Sequence, residues 1–340
     1  MIAKHLKYVV AGLAILLLSG CERLLIDSDK SSEPVENFDR LWQKVRDHYP
    51  YFKYKNLDWD SVYNQYRPSV NEGTSDAELY KVITAMLSEL KDGHISVYTP
   101  DNYYAYNFKA GYAGNYDSAL VRKFYLDKPS VQYVKSGGFT YAILDNNIGY
   151  IHYRTFNRDV DTIDAILQLF EREKVKGLIM DVRNNGGGQI GNVLSLAGRF
   201  TASQLNIGHT VFKKGPEPDN FTEPLRVYVN PEGATWTKPV VLLTNRACFS
   251  ACSFFTEAMR QIPNVTTLGD MTGGGGAMPL EYELPNGWRY RVSTSAFYGF
   301  DGFNIEGGVP PDIRVDMNQE HAKQGRDDLI EQASQQIERK

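Results

Sequence analysis

Ser250 lies in the segment Thr244-Asn-Arg-Ala-Cys-Phe-Ser-Ala-Cys, where an apolar run gives way to a helical pattern. A serine at the start of a helix is a candidate nucleophile, because the helix N-terminus stabilises an oxyanion and the amide of Ala251 is placed to donate to it. Serine is also a common helix N-cap, which is a structural role only. The segment alone does not decide between these two interpretations.

A glycine-rich turn follows a second apolar run, in the segment Asp181-Val-Arg-Asn-Asn-Gly-Gly-Gly. Glycines between a strand and a helix let backbone N–H groups point inward and present a surface that binds anions. A tight turn without any ligand is the alternative, and a bare triple glycine favours it. The spacing differs from the phosphate-binding pattern Gly-x-x-x-x-Gly-Lys-Ser/Thr, which argues against nucleotide binding.

His94 ends a helical stretch in the segment Lys91-Asp-Gly-His-Ile-Ser. Histidine is the usual general base for a serine hydroxyl, because the pKa of its side chain lies near neutrality. A histidine after Asp-Gly is, on its own, more typical of an exposed turn. Whether the three segments form one catalytic site therefore depends on the helices and strands that position them.

The elements fall into three regions along the chain. Residues 34–96 carry apolar side chains at helical spacing, whereas residues 97–145 have a weaker pattern that predicts strands and loops. From about residue 147, short apolar runs alternate with helical patterns. Strands are predicted at 148–153, 177–182 and 239–244, and helices at 162–173, 190–200 and 251–261. Because such alternation builds βαβ units, the sequence predicts an α/β fold with a largely parallel sheet.

Four smaller features complete the pattern. Residues 280–284 and 289–293 predict a β-hairpin, and a polar helix is predicted from Gln319 onward. Cys248 and Cys252 are predicted to be buried thiols, because a disulfide at this spacing is geometrically awkward. No Cys/His cluster in the sequence has the spacing of a zinc site.

Four tracts together resemble the C-terminal processing (tail-specific) serine peptidase family, specifically its tricorn-core-like branch with a histidine base. The tracts are Asp92-Gly93-His94, Asp181 to Gly188, Asn245 to Ala251, and Phe303 to Asp312. The last of these contains Glu306 and is similar to the closing Glu-Gly-x-x-Pro-Asp tract of the family. The resemblance runs from about residue 38 to 315.

The resemblance implies a crotonase-like α/β core with an N-terminal helical cap. No PDZ domain is expected, because the weakly patterned stretch before the core is too short for one. Together with the N-terminal residues, the predicted organisation is a signal peptide at 1–20, a tether at 21–36, the helical cap at 37–96, the peptidase domain at 97–318 and a C-terminal helix at 319–340.

The resemblance also implies roles for individual residues. Ser250 is the expected nucleophile, His94 the expected general base, and Glu306 the residue that supports the base. The family's other branch uses a lysine base, and the matching position here is Gly275, which leaves His94. Gly93 stands where tricorn-like sites can carry a serine, so the route from Glu306 to His94, direct or through water, is left open.

The implied reaction is acyl transfer from a peptide or protein substrate, with no metal and no cofactor. The amides of Ala251 and of Gly187, or of its neighbour Gly186, are the expected oxyanion donors. The alternative function is a catalytically silent binding protein on the same fold, since the family resemblance extends to a retinoid-binding vertebrate protein. An acyl-CoA enzyme of the crotonase type is a weaker alternative, because Ser250 and Glu306 would then have no role.

The N-terminus and the charge bear on location and partners. Lys4 and Lys7 precede a short apolar run, and Leu18-Ser-Gly-Cys21 resembles the processing box of bacterial lipoproteins. We therefore expect a lipid at Cys21 and a location in the cell envelope, on a bacterial membrane. The formal net charge is −4 and the basic residues are not clustered, which argues against a nucleic-acid partner. The pattern does not fix an oligomeric state.

Replacement of the box cysteine tests the anchor. Metabolic labelling with an alkyne fatty acid should mark the wild-type protein and leave Cys21→Ser unmarked, because the thiol is the acceptor of the lipid. Cys248→Ser is the matched control and should label like the wild type. Equal labelling of the wild type and Cys21→Ser would contradict the lipoprotein prediction.

Overall fold

The computed structural model describes residues 31–339, so Cys21, the predicted signal peptide and most of the predicted tether lie outside the described residues. The described chain forms two compact units. The first unit comprises residues 31–107, 212–222 and 278–295, and the second unit comprises residues 108–211, 223–277 and 296–339. The first unit therefore contains both the N-terminal region and the predicted hairpin.

The elements of residues 31–339 are numbered in chain order. The α-helices are α1 Pro34–His48, α2 Trp59–Tyr66, α3 Asp76–Ser88, α4 Ser118–Val121, α5 Ile163–Arg172, α6 Ile190–Gly198, α7 Ala251–Met259, α8 Gln319–Lys323 and α9 Asp328–Glu338. The strands are β1 Ser96–Tyr98, β2 Tyr103–Ala105, β3 Tyr133–Ser136, β4 Phe139–Ile143, β5 Gly149–Tyr153, β6 Leu178–Asp181, β7 Leu205–Phe212, β8 Leu225–Val229, β9 Val240–Thr244, β10 Val265–Gly269, β11 Pro279–Glu283, β12 Arg289–Ser293, β13 Ser295–Gly299 and β14 Ile313–Arg314. Short turns of other helix types span Arg67–Ser69, Arg122–Leu126 and Ile305–Gly307.

The first unit begins with helices, as the sequence predicts for residues 34–96. Helix α1 buries Phe38, Leu41 and Val45 along one face, and this helical spacing of apolar side chains is what drives the helix onto its neighbours. Helix α3 starts with a capping box, in which the Ser75 hydroxyl and the Glu78 carboxylate satisfy each other's backbone N–H groups. These helices confirm the prediction for this region.

The predicted hairpin is present in the first unit as β11 and β12. The two strands pair antiparallel, with Glu283 opposite Arg289 at the turn. Strand β12 also pairs antiparallel with β1, which follows α3 along the chain. The sheet of this unit therefore has the order β11-β12-β1-β2.

The second unit contains the parallel sheet that the sequence predicts. Within residues 31–339 it has seven strands in the order β14-β10-β9-β6-β5-β4-β3. Pairing is parallel from β14 to β5 and antiparallel from β5 to β3. Strands β6 and β9 are direct neighbours, with Asp181 opposite Leu243. Because parallel strands end at one edge of a sheet, the turns that follow β6 and β9 meet there.

Alternate side chains of the central strands enter two different cores. Leu178 and Met180 of β6 pack with the apolar faces of α5, α6 and α7. Ile179 of the same strand packs on the opposite face with α4 and α9. Both faces of the sheet are thus covered, which explains why β6 and β9 are continuous apolar runs without polar alternation.

The C-terminal segment differs from the prediction of a single polar helix from Gln319. It forms two helices, α8 and α9, separated by a turn in which Gly325 has a φ of 83°. Helix α9 buries Leu329, Ile330 and Ile337 against the sheet. Its apolar residues occupy one narrow stripe, so the overall polarity of the segment concealed a face that belongs to the core.

A buried charge network joins β6 to α9. Arg183 donates from Nε to Asp181 at 2.9 Å and from Nη1 to Asp327 at 2.9 Å, and all three side chains are fully buried. The Tyr150 hydroxyl also donates to Asp181 at 2.8 Å. Burial opposes ionisation of Asp181, but the charge and hydrogen bonds of Arg183 outweigh it and hold the pKa of this carboxyl below its usual value.

Removal of the shared guanidinium should destabilise the protein severely. Arg183→Met leaves two carboxylates buried without their cation, and breaking a buried ion pair in this way costs about 3–5 kcal/mol of the free energy of unfolding. Arg122→Met is the matched control, because Arg122 pairs with Asp127 on the exposed surface and should lose far less. Urea denaturation followed by tryptophan fluorescence measures both. Similar losses in the two variants would show that the buried network is not a major source of stability.

Candidate active site

Ser250 occupies the turn between β9 and α7 with a backbone conformation that is rare for a residue with a side chain. Its φ is 56° and its ψ is −121°. The Ser250 N–H donates to the carbonyl of Gly274 at 2.8 Å, and the Phe249 N–H donates to that of Asn185 at 3.0 Å. Such a conformation persists only where the surroundings hold it, and it is typical of functional sites.

The side chain of Ser250 makes no capping hydrogen bond to α7, so the structure does not support the interpretation of Ser250 as an N-cap only. Ala251 is the first residue of α7. Its N–H belongs to the first turn, where backbone donors have no acceptor within the helix. An oxyanion next to Ser250 would also gain from the dipole of α7.

The glycine-rich turn after β6 lies directly against Ser250. Gly187 has a φ of 95°, and a Cβ atom placed on it would lie 2.7 Å from the Phe249 carbonyl oxygen and 2.9 Å from the Ala251 nitrogen. Contacts this short exclude any side chain at the position. The turn is therefore more than a tight connection, because its missing side chain lets two backbones approach at the candidate nucleophile.

The two predicted oxyanion donors of this turn differ in their surroundings. The Gly187 N–H donates to the Asn185 side-chain oxygen at 2.9 Å, so this amide is already engaged. Gly186 is exposed, and a Cβ atom built on it would meet nothing within 4 Å. Of the two glycines, Gly186 has the open surroundings that an incoming oxyanion would require.

Two asparagines that the sequence analysis gave no role join the two turns. The Asn184 N–H donates to the Asn245 side-chain oxygen at 3.0 Å, and the Asn245 amide donates to the Asn184 side-chain oxygen at 2.8 Å. A sequence signal existed, because each asparagine follows soon after one of two buried strands. Only the pairing of β6 with β9 shows that these side chains meet.

Glu306 lies on the short turn Ile305–Gly307 and is buried. Its Oε2 accepts the Gly276 N–H at 3.1 Å. Gly276 belongs to a run of four glycines at 273–276, and this run also binds the nucleophile segment. The Gly274 carbonyl accepts hydrogen bonds from the Ser250 N–H and the Ser253 hydroxyl. Glu306 and the backbone of Ser250 are thus held by one short stretch of chain.

His94 lies in the first unit, just after α3, and its side chain is buried rather than exposed on a turn. The carboxylate of Asp92 accepts the His94 N–H at 2.8 Å and the Ser293 hydroxyl at 2.7 Å. The His94 Nδ1 lies 3.7 Å from Asp92 Oδ1. Asp92 therefore fixes both the backbone of the Asp-Gly-His segment and its position against β12.

The environment of His94 disfavours its charged form. Burial is the largest cause, and with help from the charges of Arg291 and Lys55 it lowers the pKa of His94 to about 4, although Asp92 opposes the shift. Burial also opposes ionisation of Asp92, but Lys55, His94 and two hydrogen bonds together hold the pKa of this carboxyl below its usual value. His94 is consequently neutral near pH 7 and able to accept a proton.

The second unit thus contains Ser250, Ala251, Gly186, Gly187 and Glu306, whereas His94 belongs to the first unit.

Cys248 and Cys252 are free and buried, as predicted. Between residues 31 and 339, no group of three or more His, Cys, Asp or Glu side chains is arranged to hold a metal ion. Over the same range, no helix has both the length and the apolar character needed to cross a membrane.

Two family models match the chain. Residues 147–315 match peptidase family S41, and residues 31–88 match the tricorn protease C1 domain. The first match contains the turns after β6 and β9 together with Glu306, and the second contains α1 to α3.

Two named relatives are carboxy-terminal processing proteases. CtpA of Bacillus subtilis is 28% identical over 176 residues, which are 51% of this chain and 36% of the relative. The enzyme of Bartonella bacilliformis is 26% identical over 217 residues, which are 61% of this chain and 48% of the relative. The chain therefore spans less than half the length of either relative.

Solved structures confirm the predicted α/β fold. Mature CPAF superposes with a TM-score of 0.67 at 12% identity, covering 89% of this chain and 96% of CPAF. A candidate peptidase from Parabacteroides merdae superposes with a TM-score of 0.85 at 35% identity, covering 90% of this chain and 97% of that chain. With a relative this similar over nearly its full length, and with the core matching the family model, the chain belongs to peptidase family S41.

Proposed function

We propose that this protein is a serine endopeptidase that hydrolyses peptide bonds of proteins or peptides through an acyl-enzyme. The observation that carries the proposal is the backbone of Ser250, held at a φ of 56° at the start of α7 with Gly187 pressed against it. This arrangement presents the serine beside backbone donors, which is the geometry that acyl transfer requires. The carboxy-terminal processing relatives support the reaction class.

In the proposed reaction the Ser250 hydroxyl attacks the carbonyl carbon of the scissile bond. His94 takes the hydroxyl proton and returns it to the leaving amine, and water then hydrolyses the acyl-enzyme by the same steps. Burial keeps the His94 imidazole neutral near pH 7, as a general base must be, and the nearby Asp92 carboxylate favours the imidazolium that forms.

The N–H groups of Ala251 and Gly186 are the proposed oxyanion donors. Ala251 is supported by its place in the first turn of α7, and Gly186 by its open surroundings. The engagement of the Gly187 N–H by Asn185 argues for a different role, in which Gly187 shapes the turn. Removal of one donor at such a site typically lowers kcat by roughly 10²–10³-fold.

Glu306 is the proposed partner of the base and would hold the imidazole in its useful tautomer. Support comes from its burial and from the Gly276 N–H, which fixes the orientation of the carboxylate. A carboxylate in such a role stabilises the imidazolium that forms during the reaction.

The proposed location is the cell envelope of a bacterium, with a lipid at Cys21 as the anchor. The proposal rests on the basic N-terminus, the short apolar run and the Leu-Ser-Gly-Cys box. The proposed substrates are proteins or peptides of that compartment, cut near their C-termini as the names of the relatives suggest.

Active-site labelling and paired substitutions test the nucleophile and the base. A fluorophosphonate probe should label the wild type and Ser203→Ala but not Ser250→Ala, because the probe reacts with an activated serine.

Ser250→Ala and His94→Ala should each lower kcat/KM by about 10³-fold or more. The double variant should be little worse than either, since the two residues act as one proton-transfer unit. Glu306→Gln should lose less, because it orients the base. Near-native activity in His94→Ala with none in Ser250→Ala would refute the assigned base.

The pH dependence of kcat/KM tests the environment of His94. A base must be neutral, so activity should rise as pH increases through the pKa of the free enzyme, which is about 4 for His94, and should be level above about pH 6. Arg291→Gln removes a nearby positive charge, so it should raise the pKa and move the rise to higher pH. A midpoint near 6.5 that does not respond to Arg291→Gln would contradict the buried, neutral base.

A further inference from the structure

A cavity of about 1260 Å³ opens in the second unit beside the candidate nucleophile. Asn184 and Gly186 of the glycine turn line it, as do Ala247 and Phe249 of the nucleophile turn. Phe249 directly precedes Ser250 in the chain, and Gly186 is one of the proposed oxyanion donors. A peptide whose scissile carbonyl lies at Ser250 therefore has neighbouring residues within reach of this cavity.

The charge of the lining has one sign. Five cationic residues contribute to it, namely Lys109, Arg122, Lys135, Arg154 and Arg246, and none of the residues that line it in the described chain is Asp or Glu. The whole chain has more acidic than basic residues, with a formal net charge of −4. The cavity thus departs from the average of the molecule in the direction that attracts anions.

Arg246 is held rigidly without losing its charge. Its Nη1 donates to the carbonyls of Thr272 at 2.8 Å and Gly307 at 3.1 Å, and its guanidinium lies 4.2 Å from the centre of the Tyr112 ring. Its buried Nε has no hydrogen-bond partner among residues 31–339. Carbonyls and an aromatic ring orient the group, but neither neutralises it.

Nearby carboxylates compensate only part of this charge. Asp127 pairs with Arg122 at 3.1 Å, and the Asp159 carboxylate lies near Gly137 of the lining. Lys135, Arg154 and Arg246 form no salt bridge within residues 31–339 and keep their charge for the cavity. Asp181 accepts a hydrogen bond from Tyr150, which lines the cavity, but Asp181 and Asp327 are both fully buried and bound to Arg183. They are therefore inaccessible to a ligand in the cavity.

We infer that this cavity binds acidic side chains of the substrate and gives the enzyme a preference for Asp and Glu close to the scissile bond. The inference rests on the proposed peptidase function and specifies its substrate class. Lys109, Lys135, Arg154 and Arg246 come from separate segments of the chain. One terminal carboxylate engages one or two cations, whereas cations spread over a cavity of this size suit several side chains along an extended peptide.

Matched peptide libraries test the preference. Two libraries of internally quenched peptides are identical except that every Glu and Asp of one is Gln and Asn in the other. The wild type should show a higher kcat/KM on the acidic library. Lys135→Gln/Arg154→Gln should lower the acidic-to-amide ratio by about fivefold, the combined effect of losing two exposed ion pairs of ordinary strength. Lys81→Gln/Arg226→Gln also removes two exposed cations, neither of which lines the cavity, and should keep the wild-type ratio.

Salt and the peptide C-terminus provide two further comparisons. The acidic-to-amide ratio should fall as ionic strength rises, because the cations are solvent-facing and screened. Both libraries are also made with free and with amidated C-termini. A ratio unchanged in Lys135→Gln/Arg154→Gln would overturn the inference, as would a preference that follows the free C-terminus instead of the acidic side chains.

Direct binding separates this inference from the proposed function. Fluorescein-labelled (Gly-Glu)₅ and (Gly-Gln)₅ peptides are titrated with Ser250→Ala and followed by fluorescence anisotropy. Tighter binding of (Gly-Glu)₅, lost when Lys135→Gln/Arg154→Gln is added, supports the cavity even if no peptide is ever cleaved. Equal binding of the two peptides together with normal hydrolysis of both libraries would overturn the cavity and leave the peptidase proposal standing.

Discussion

The close approach of two backbone turns is the constraint on which the candidate site depends. The turn after β6 brings Gly187 so near to Phe249 and Ala251 that no side chain fits between them. The strained φ of Ser250, of a kind that costs on the order of 1–3 kcal/mol, persists because neighbouring groups hold it. Those groups are the carbonyls of Asn185 and Gly274, which accept the backbone N–H groups of Phe249 and Ser250, respectively.

The buried charges beneath these turns give the approach its rigidity. Arg183 stands two residues before Asn185 and is locked between Asp181 and Asp327, so the start of the glycine turn has little freedom. The network is expensive to desolvate, and a packed apolar cluster would serve stability as well. Unlike an apolar cluster, the network requires a particular geometry. The Arg183 guanidinium bonds to two carboxylates at once, and this fixes β6 relative to the first turn of α9.

Electrostatics divides the functional groups into a neutral base and a cationic surface. Burial favours the neutral form of His94, so the proposed proton acceptor is unprotonated over the whole neutral range. The cavity beside Ser250 is lined by five cationic residues, and within residues 31–339 no Asp or Glu lines it. The proposed chemistry requires a neutral proton acceptor, and burial keeps His94 neutral. Recognition of acidic peptides requires positive charge, which exposed side chains such as Lys135 and Arg154 retain.

The sequence by itself determined the α/β class, because periodicity and apolar runs are local properties that fix helices and buried strands. Ser250 and the glycine turn were candidates from their places between apolar runs and helices, and the resemblance to a peptidase family added Glu306. Tertiary structure alone decided the contacts that are remote along the chain: the Asn184–Asn245 pair, the apolar face of α9 and the cationic cavity. Tertiary structure also decided that the N–H of Gly187 is engaged while Gly186 is open, and that His94 is buried. Hydrogen-bond partners and solvent exposure depend on how distant segments of the chain pack together.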